Sequence, residues 1–250
     1  MTSTSPTSSR TVPERQAELA TSLARLRTRI ADACTAAGRD RADVTLVAVT
    51  KTYPVSDVLH LARLGVRDIG ENRDQEAAPK AVAVAAEGES VRWHFVGQLQ
   101  RNKCRSVVGY ADLVHSVDSV RLAGALGRAA QRYREAPLDV LVQVSVDGDA
   151  ERGGAVEAGE DDRQLDRVAD EVAGSAALRL RGVMTVAPLD WTPERAFARL
   201  AEIADRLRAH HPDATLVSAG MSGDLEPAIA FGATHLRVGS ALLGNRPTLR

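Results

Sequence analysis

The chain has 250 residues, 44% of them apolar and 26% charged, enough hydrophobic material for a sizeable core and too much for disorder throughout. Its 32 Lys and Arg against 33 Asp and Glu leave a net charge of -1, so composition offers no broad attraction for nucleic acid or an anionic membrane. No stretch reaches the roughly 18 apolar residues of a spanning helix, and Cys34 and Cys104 lack the spacing of a disulfide scaffold or a zinc site.

The opening Met-Thr-Ser-Thr-Ser-Pro-Thr-Ser-Ser lacks the charged start and apolar run of a secretory signal. Residues 1–11 therefore read as a disordered tail, and a reducing cytoplasm is the expected location. From 13 to 37, Leu19, Leu23, Leu26, Ile30 and Cys34 fall on one face of an amphipathic helix, opened by Pro13 and closed by Gly38. The period then changes. Val44-Thr-Leu-Val-Ala-Val49 is nearly all apolar, the pattern of a strand buried on both faces of a parallel sheet.

The alternation repeats, with strands expected near 66–69, 92–96, 112–115, 138–146, 180–186, 214–218 and 234–238. Helices are expected near 55–64, 73–86, 99–108, 118–134, 161–174, 193–209 and 223–231. Leu165, Val168 and Val172 share one helix face, Phe197, Leu200, Ile203 and Leu207 another, and Thr192-Pro193 supplies an N-cap with a first-turn proline. Eight strands alternating with helices imply parallel pairing, best satisfied by a closed (β/α)8 barrel with an extra N-terminal helix, although an open doubly wound sheet would use many of the same elements. No Pro-, Gly- or Ser-rich linker divides the interior, so residues 12–250 are expected to form one barrel domain.

In either architecture ligands bind beyond the carboxyl ends of the strands. Lys51 follows the first apolar run, one residue beyond Thr50. It is either a salt-bridged lysine or, if desolvated near Arg237, an amine able to attack a carbonyl and form an imine. Ser218-Ala219-Gly220-Met221-Ser222 and Gly239-Ser240 are strand-to-helix turns whose small residues, with the positive end of the next helix, suit a phosphate. They follow strands seven and eight, where barrels frequently hold one, though two ordinary tight turns would look the same. Arg237 could meet the phosphate, a ring heteroatom or a structural carboxylate. Asn72 could contact a ligand or cap the next helix, and His94 and His115 could be acid/base groups, stacking faces or simply hydrogen-bonded in place.

Taken together, Val47-Ala-Val-Thr-Lys-Thr52, Gly70-Glu-Asn72, Trp93-His-Phe-Val-Gly97 with Leu99-Gln100 and Asn102-Lys103, Gly220-Met-Ser222 and Val238-Gly-Ser240 resemble the YggS/PROSC family of pyridoxal phosphate-binding proteins. The likeness spans about residues 12 to 246, in matching order and spacing. It implies a PLP fold-type III, TIM-like barrel similar to the N-terminal domain of alanine racemase. It further implies pyridoxal 5'-phosphate (PLP) held as an internal aldimine on Lys51, with Asn72 near the pyridine ring and Arg237 facing its nitrogen. By the same likeness Ser218, Gly220, Met221, Ser222, Gly239 and Ser240 surround the phosphate. The implied role is a PLP carrier or buffer in vitamin B6 and amino-acid homeostasis, without strong catalytic activity, serving recipient PLP-dependent enzymes. Arg73, Ala219 and Arg152-Gly153-Gly154 depart from the family pattern without removing a primary cofactor contact.

Two enzymatic alternatives share the lysine. An amino-acid racemase of the alanine racemase type needs a second acid/base on the opposite face of the ligand, which there comes from an additional β-domain. The chain's short stretch after strand eight is expected to leave no room for one, and of its tyrosines only Tyr53 lies near the mouth. A Schiff-base aldolase or lyase acting on a sugar phosphate would need a carboxylate beside Lys51, for which Glu71 is the nearest candidate. The segment after Gly244-Asn245-Arg246-Pro247 offers no evident dimerisation element, so a monomer is expected.

Overall fold

The computed structural model describes residues 12–149, 152–158 and 161–244; the tail read at residues 1–11 and the segment 245–250 lie outside them. Eight strands, β1 (Thr45–Val49), β2 (Asp68–Glu71), β3 (Arg92–Phe95), β4 (Leu113–Val117), β5 (Leu138–Gln143), β6 (Leu178–Met184), β7 (Leu216–Ser218) and β8 (His235–Val238), pair in chain order and close into a barrel. Every pairing is parallel, and β8 returns to β1 with Thr45 opposite His235 and Ala48 opposite Val238. That last seam excludes the open sheet, in which β1 and β8 would not meet.

The helices are α1 (Val12–Ala36), α2 (Val55–Arg63), α3 (Asp74–Ala86), α4 (Cys104–Val107), α5 (Val120–Tyr133), α6 (Leu165–Ala173), α7 (Pro193–His210), α8 (Leu225–Ala230) and α9 (Ser240–Leu243). The face read in the sequence of α1 is the one it buries: Leu19, Leu23, Leu26, Ile30 and Cys34 pack inward as the helix crosses α8, α9 and α2. Thr192 caps α7 by accepting the Arg195 N–H, with Pro193 in the first turn.

Two expectations are corrected. The helix expected over 99–108 is a 3-10 turn, Arg101–Lys103, followed by the single turn of α4, because Arg101-Asn-Lys103 brings no apolar period and Gly109 and Tyr110 close the segment with turn bonds to Ser106 and Val107. The helix expected from 161 begins at Leu165, since the Gln164 side chain accepts the Arg167 N–H and fixes the cap there.

Inside the barrel the period of two decides what fills the lumen. A small apolar cluster, Leu113, Leu141 and Met184, sits apart from the main core between sheet and helices. Along the same faces run polar residues: His115 two beyond Leu113, Ser218 two beyond Leu216, and Arg237 two beyond His235, all buried. Val47 and Val49 lie against Gly70 across β1 and β2, so the next position of that phase, Lys51, stands at the carboxyl mouth.

One glycine is indispensable to this closure. Gly182 in β6 has φ 147°, and a Cβ there would overlap the Leu216 carbonyl oxygen of the adjoining strand. Gly182→Ala is expected to destabilise the fold by about 3 kcal/mol or more, combining overpacking with backbone strain. Chemical denaturation of the variant measures this; an unchanged midpoint would show that β6 and β7 do not approach so closely.

Candidate functional site

Of the residues singled out in the sequence, Lys51, Asn72, Met221, Ser222, Arg237, Gly239 and Ser240 line one cavity of about 680 Å³ at the carboxyl ends of the strands. That volume suits a small phosphorylated or aromatic ligand. Ser218 and Gly220 do not line it. Val49, Val96 and Gly97 of the matched blocks, Tyr53, and Val186, Gly223 and Gly244, which the sequence reading assigned no site role, complete the wall.

Lys51 is half-buried on a turn held from several sides. Tyr53 N–H donates to the Thr50 carbonyl at 3.0 Å, and Thr52, at φ 69°, donates its N–H to Glu76 Oε2 at 2.9 Å. A β-branched residue in the left-handed region is strained by about 1 kcal/mol or more, and persists where surrounding bonds over-determine it. Beneath the turn, Thr50 Oγ1 donates to Glu71 Oε1 at 2.6 Å, and Lys80 Nζ donates to the same oxygen at 2.7 Å and to the Thr50 carbonyl at 2.9 Å. Burial holds the Glu71 carboxyl above its usual range despite the hydrogen bonds from Lys80 and Thr50. Glu71 is thus committed to an internal ion pair and does not line the cavity.

The sequence contains only three lysines, Lys51, Lys80 and Lys103. Lys80 is buried against Glu71, Lys103 lies 3.8 Å from Asp74, and Lys51 alone of the three borders this cavity. No sequence motif isolates the Lys80–Glu71 pair, because its members touch only once β2 and α3 are packed.

Asn72 does not cap α3: Arg73 occupies the N-cap position, and no side chain caps it. The Asn72 Oδ1 atom is buried without a partner at the cavity wall, which favours the ligand-facing alternative for this amide. Gly97 passes so closely over the Asn72 backbone that any Cβ would overlap its carbonyl.

The two junctions after β7 and β8 are laced together. Ser222 Oγ accepts from Ser240 Oγ at 3.1 Å and from Ala241 N–H at 3.2 Å. Arg29 of α1 donates to the Ser222 carbonyl at 2.8 Å, and Arg15 donates to the Leu243 carbonyl at 3.0 Å while pairing with Asp57. Tyr53 reaches across from the β1 turn, its hydroxyl donating to the Gly244 carbonyl at 2.7 Å. Gly220, at φ 87°, sits on the helix side of its turn, where a Cβ would come within 2.6 Å of Ala228 Cβ. The expected pull of a following helix is weak here, since α8 has six residues and α9 four. Asp224 Oδ1 moreover takes the Met221 N–H at 2.5 Å.

Arg237 is buried. Its Nη1 donates to Ser218 Oγ and its Nη2 to the Thr185 carbonyl, both at 2.7 Å. Among the described residues it has no ion-pair partner, its acceptors being Ser218 and Thr185, and burial pushes its pKa down to about 10, opposed by the charge of Asp224. A buried cation with only neutral acceptors is costly, so the guanidinium favours a further acceptor in the cavity it borders. Ser218 lies beneath, fully buried, bonded also to His115 Nδ1 at 2.9 Å. The roles left open for His94 and His115 resolve into bonding within the lumen: His94 Nδ1 meets His115 Nε2 and His94 Nε2 meets Asp68 Oδ1, each at 2.9 Å.

A lysine at the mouth of β1, an arginine of β8 and a serine-glycine rim after β7 and β8 share one opening of a closed parallel barrel, and the sequence places that barrel in a known family. The model of the family described as "Alanine racemase, N-terminal domain" matches residues 21–247. The chain is 46% identical to the pyridoxal phosphate homeostasis protein of Mycobacterium tuberculosis H37Rv over 247 residues, covering 94% of this chain and 95% of the relative. With the protein of that name from Escherichia coli K12 it shares 36% identity over 238 residues, covering 92% and 97%. The solved structure of PipY from Synechococcus elongatus PCC7942 with PLP bound is 31% identical, with a TM-score of 0.73 over 90% of this chain and 100% of that one. Alanine racemase of Corynebacterium glutamicum, at 17% identity and a TM-score of 0.62 over 94% of this chain and 64% of that one, shares the fold. The chain belongs to the alanine racemase N-terminal domain family, in its pyridoxal phosphate homeostasis protein branch.

The buried histidines make stability depend on pH. Burial, then the electrostatic influence of the neighbouring His94, lowers His235 to about 4 from its ordinary 6.5, and burial holds His115 well below its ordinary value. As pH falls the unfolded chain takes up these protons first, so stability is complete above the ordinary histidine range and declines through the interval from about 6.5 to about 4. His235 alone contributes roughly 3 kcal/mol to that decline. Urea denaturation at about pH 7 and about pH 5 should show the loss, and His235→Leu should flatten it; equal slopes in both proteins would contradict the assignment.

Proposed function

We propose that the chain binds PLP through Lys51 and acts in vitamin B6 and amino-acid homeostasis as an intracellular carrier or buffer, without strong catalytic activity. The observation that carries this reading is that Lys51, alone of the three lysines, shares a cavity with Arg237 and the Ser222, Gly239 and Ser240 rim. The names of the relatives and the PLP bound to PipY support it.

The residues present fit the group. Asn72 Oδ1 lacks a partner, Arg237 lacks a counter-ion among the described residues, and the laced serine-glycine junctions offer hydroxyls and main-chain groups of a kind that suits a phosphate. When bound, PLP supplies an aldehyde that condenses with a primary amine and a ring that withdraws electrons from attached carbon. Lys51 Nζ supplies the amine. Arg237 is a donor that stays charged at neutral pH and has no acceptor site, so beside the ring nitrogen it would not supply a proton acceptor and would leave the electron withdrawal muted. Met221, Ser222, Gly239 and Ser240, which line the same cavity, would hold the phosphate end.

The cavity lining supports the reading of weak catalysis. The titratable side chains lining the cavity are Lys51, Tyr53 and Arg237. Tyr53 is engaged with the Gly244 carbonyl, Glu71 is closed off by Lys80, and among the described residues no carboxylate stands at the wall. Both the racemase and the aldolase readings need a second proton carrier there. Recipient PLP-dependent enzymes are the partners the carrier role requires. Among the described residues no helix is long and apolar enough to cross a membrane.

Purified protein mixed with PLP should develop the yellow absorbance of a lysine-bound aldehyde and lose it on borohydride reduction. The Lys51→Ala variant should remain colourless while keeping its thermal midpoint within about 2 °C. Undiminished absorbance in that variant would overturn the assigned attachment, and rapid interconversion of L- and D-alanine by the native protein would overturn the non-catalytic reading.

A further inference from the structure

The barrel lumen holds a continuous string of polar side chains that meets the cavity only at its last member, Arg237. It begins at Asp68 on β2, which pairs with the largely exposed Arg92 at 2.8 Å, and passes to His94 on β3, His115 on β4, Ser218 on β7 and Arg237 on β8. Each side-chain link within the lumen measures 2.7 to 2.9 Å. TIM-type barrels ordinarily fill this space with branched apolar residues.

Donor counting gives the string one direction. Hydrogen bonds from His94 and Arg92 outweigh the effect of burial and hold the Asp68 carboxyl below its usual range, so it is ionised and only accepts. His94 must therefore carry its hydrogen on Nε2. A neutral imidazole has one N–H, which leaves His94 Nδ1 as an acceptor and requires His115 to donate from Nε2. His115 Nδ1 is then an acceptor in its turn, and the Ser218 hydroxyl must donate to it. With its single hydrogen spent, Ser218 Oγ presents only lone pairs to Arg237 Nη1.

The reverse direction needs a charged histidine. A proton added to His94 would send donors from both directions onto Ser218 and leave the hydroxyl hydrogen without an acceptor. The groups facing His94 are Asp68, His115 and His235, and those facing His115 are His94, His235, Ser218 and Arg237. Arg92 and Arg237 at the two ends oppose a third positive charge between them, and Asp68 is the one carboxylate in the string.

We propose that Ser218, His115, His94 and Asp68 form a one-way hydrogen-bond string that fixes the Arg237 guanidinium in the cavity wall, making Ser218 a positioning residue for Arg237 and not a contact for phosphate. Its consequence for the ligand rests on the PLP reading above; the direction of the string does not. Nη1 is tied by a lone pair oriented across the whole lumen and Nη2 by the Thr185 carbonyl, so the guanidinium plane is set from two sides. Residues at the far end of the barrel thereby govern how the arginine meets a ring nitrogen.

The direct test is the tautomeric state of the histidines. In wild-type protein labelled with 15N-histidine, long-range 1H–15N correlation at neutral pH should find His94 and His115 both protonated at Nε2 and bare at Nδ1, with or without added PLP. A hydrogen on His115 Nδ1 would overturn the string, whatever the cofactor. The role of Ser218 is read by comparing pyridoxal with PLP in Ser218→Ala. If Ser218 positions Arg237, the variant loses roughly tenfold affinity for both ligands, the scale of a lost hydrogen bond to a charged group, and the absorbance maximum of bound PLP moves. Asp68→Leu, remote from the cavity, should move the maximum in the same direction. A loss confined to PLP, with pyridoxal binding and the maximum unchanged, would make Ser218 a phosphate contact and refute the proposal. Failure of wild-type protein to take up either ligand would defeat the PLP reading and leave the tautomer result standing.

Discussion

The site depends on the hydrogen-bonded seam between the first and last strands. Because β8 pairs with β1 in parallel, with Ala48 opposite Val238, the residues just past each strand, Lys51 and Gly239-Ser240, emerge at the same opening despite lying near opposite ends of the chain. The β7 junction joins them because β7 is the other neighbour of β8, and Ser222 then bonds to Ser240 and Ala241. An amine can meet a ligand whose far end rests on those junctions only when this seam is closed.

Helix α1 extends the same logic outside the sheet. Its apolar face packs over α8, α9 and α2, and its arginines reach the loops between them: Arg29 to the Ser222 carbonyl, Arg15 to the Leu243 carbonyl and to Asp57. Carbonyls held outward by those guanidinium groups fix the orientation of the peptide units that follow. For the buried charges the balance is different. Two cations, Lys80 and Arg237, are buried, and they are treated in opposite ways: Lys80 is neutralised by Glu71, whereas Arg237 meets only a hydroxyl and a carbonyl. The uncompensated one is the one that faces the cavity, which is the arrangement expected where a ligand completes the hydrogen bonding.

Much of this was legible in the sequence, and for identifiable reasons. The strands declared themselves as short apolar runs such as Val44–Val49, and strand ends are where barrels place their chemistry, so Lys51, Asn72, Arg237 and the two junctions could be singled out before any coordinates. Contacts between residues remote in sequence could not. Ser218 looked like part of a phosphate turn because its neighbours are Gly220 and Ser222; its actual partner, His115, is 103 residues away. The Lys80–Glu71 pair was invisible for a related reason, since a lysine on a helix and a glutamate at the end of a strand carry no mutual signature. Short elements also escaped: α9 has four residues, too few for a periodic pattern, and α4 was overestimated because a 3-10 turn resembles the start of a helix.

The central claim is that one amine, at the mouth of β1, takes the aldehyde of PLP. It is tested most directly by loading the protein with PLP, reducing with borohydride and mapping the modified peptide by mass spectrometry. With lysines at only three positions the outcome is unambiguous. The account expects the pyridoxyl group on the peptide containing Lys51. Its appearance on the peptides of Lys80 or Lys103, with Lys51 unmodified, would contradict the account.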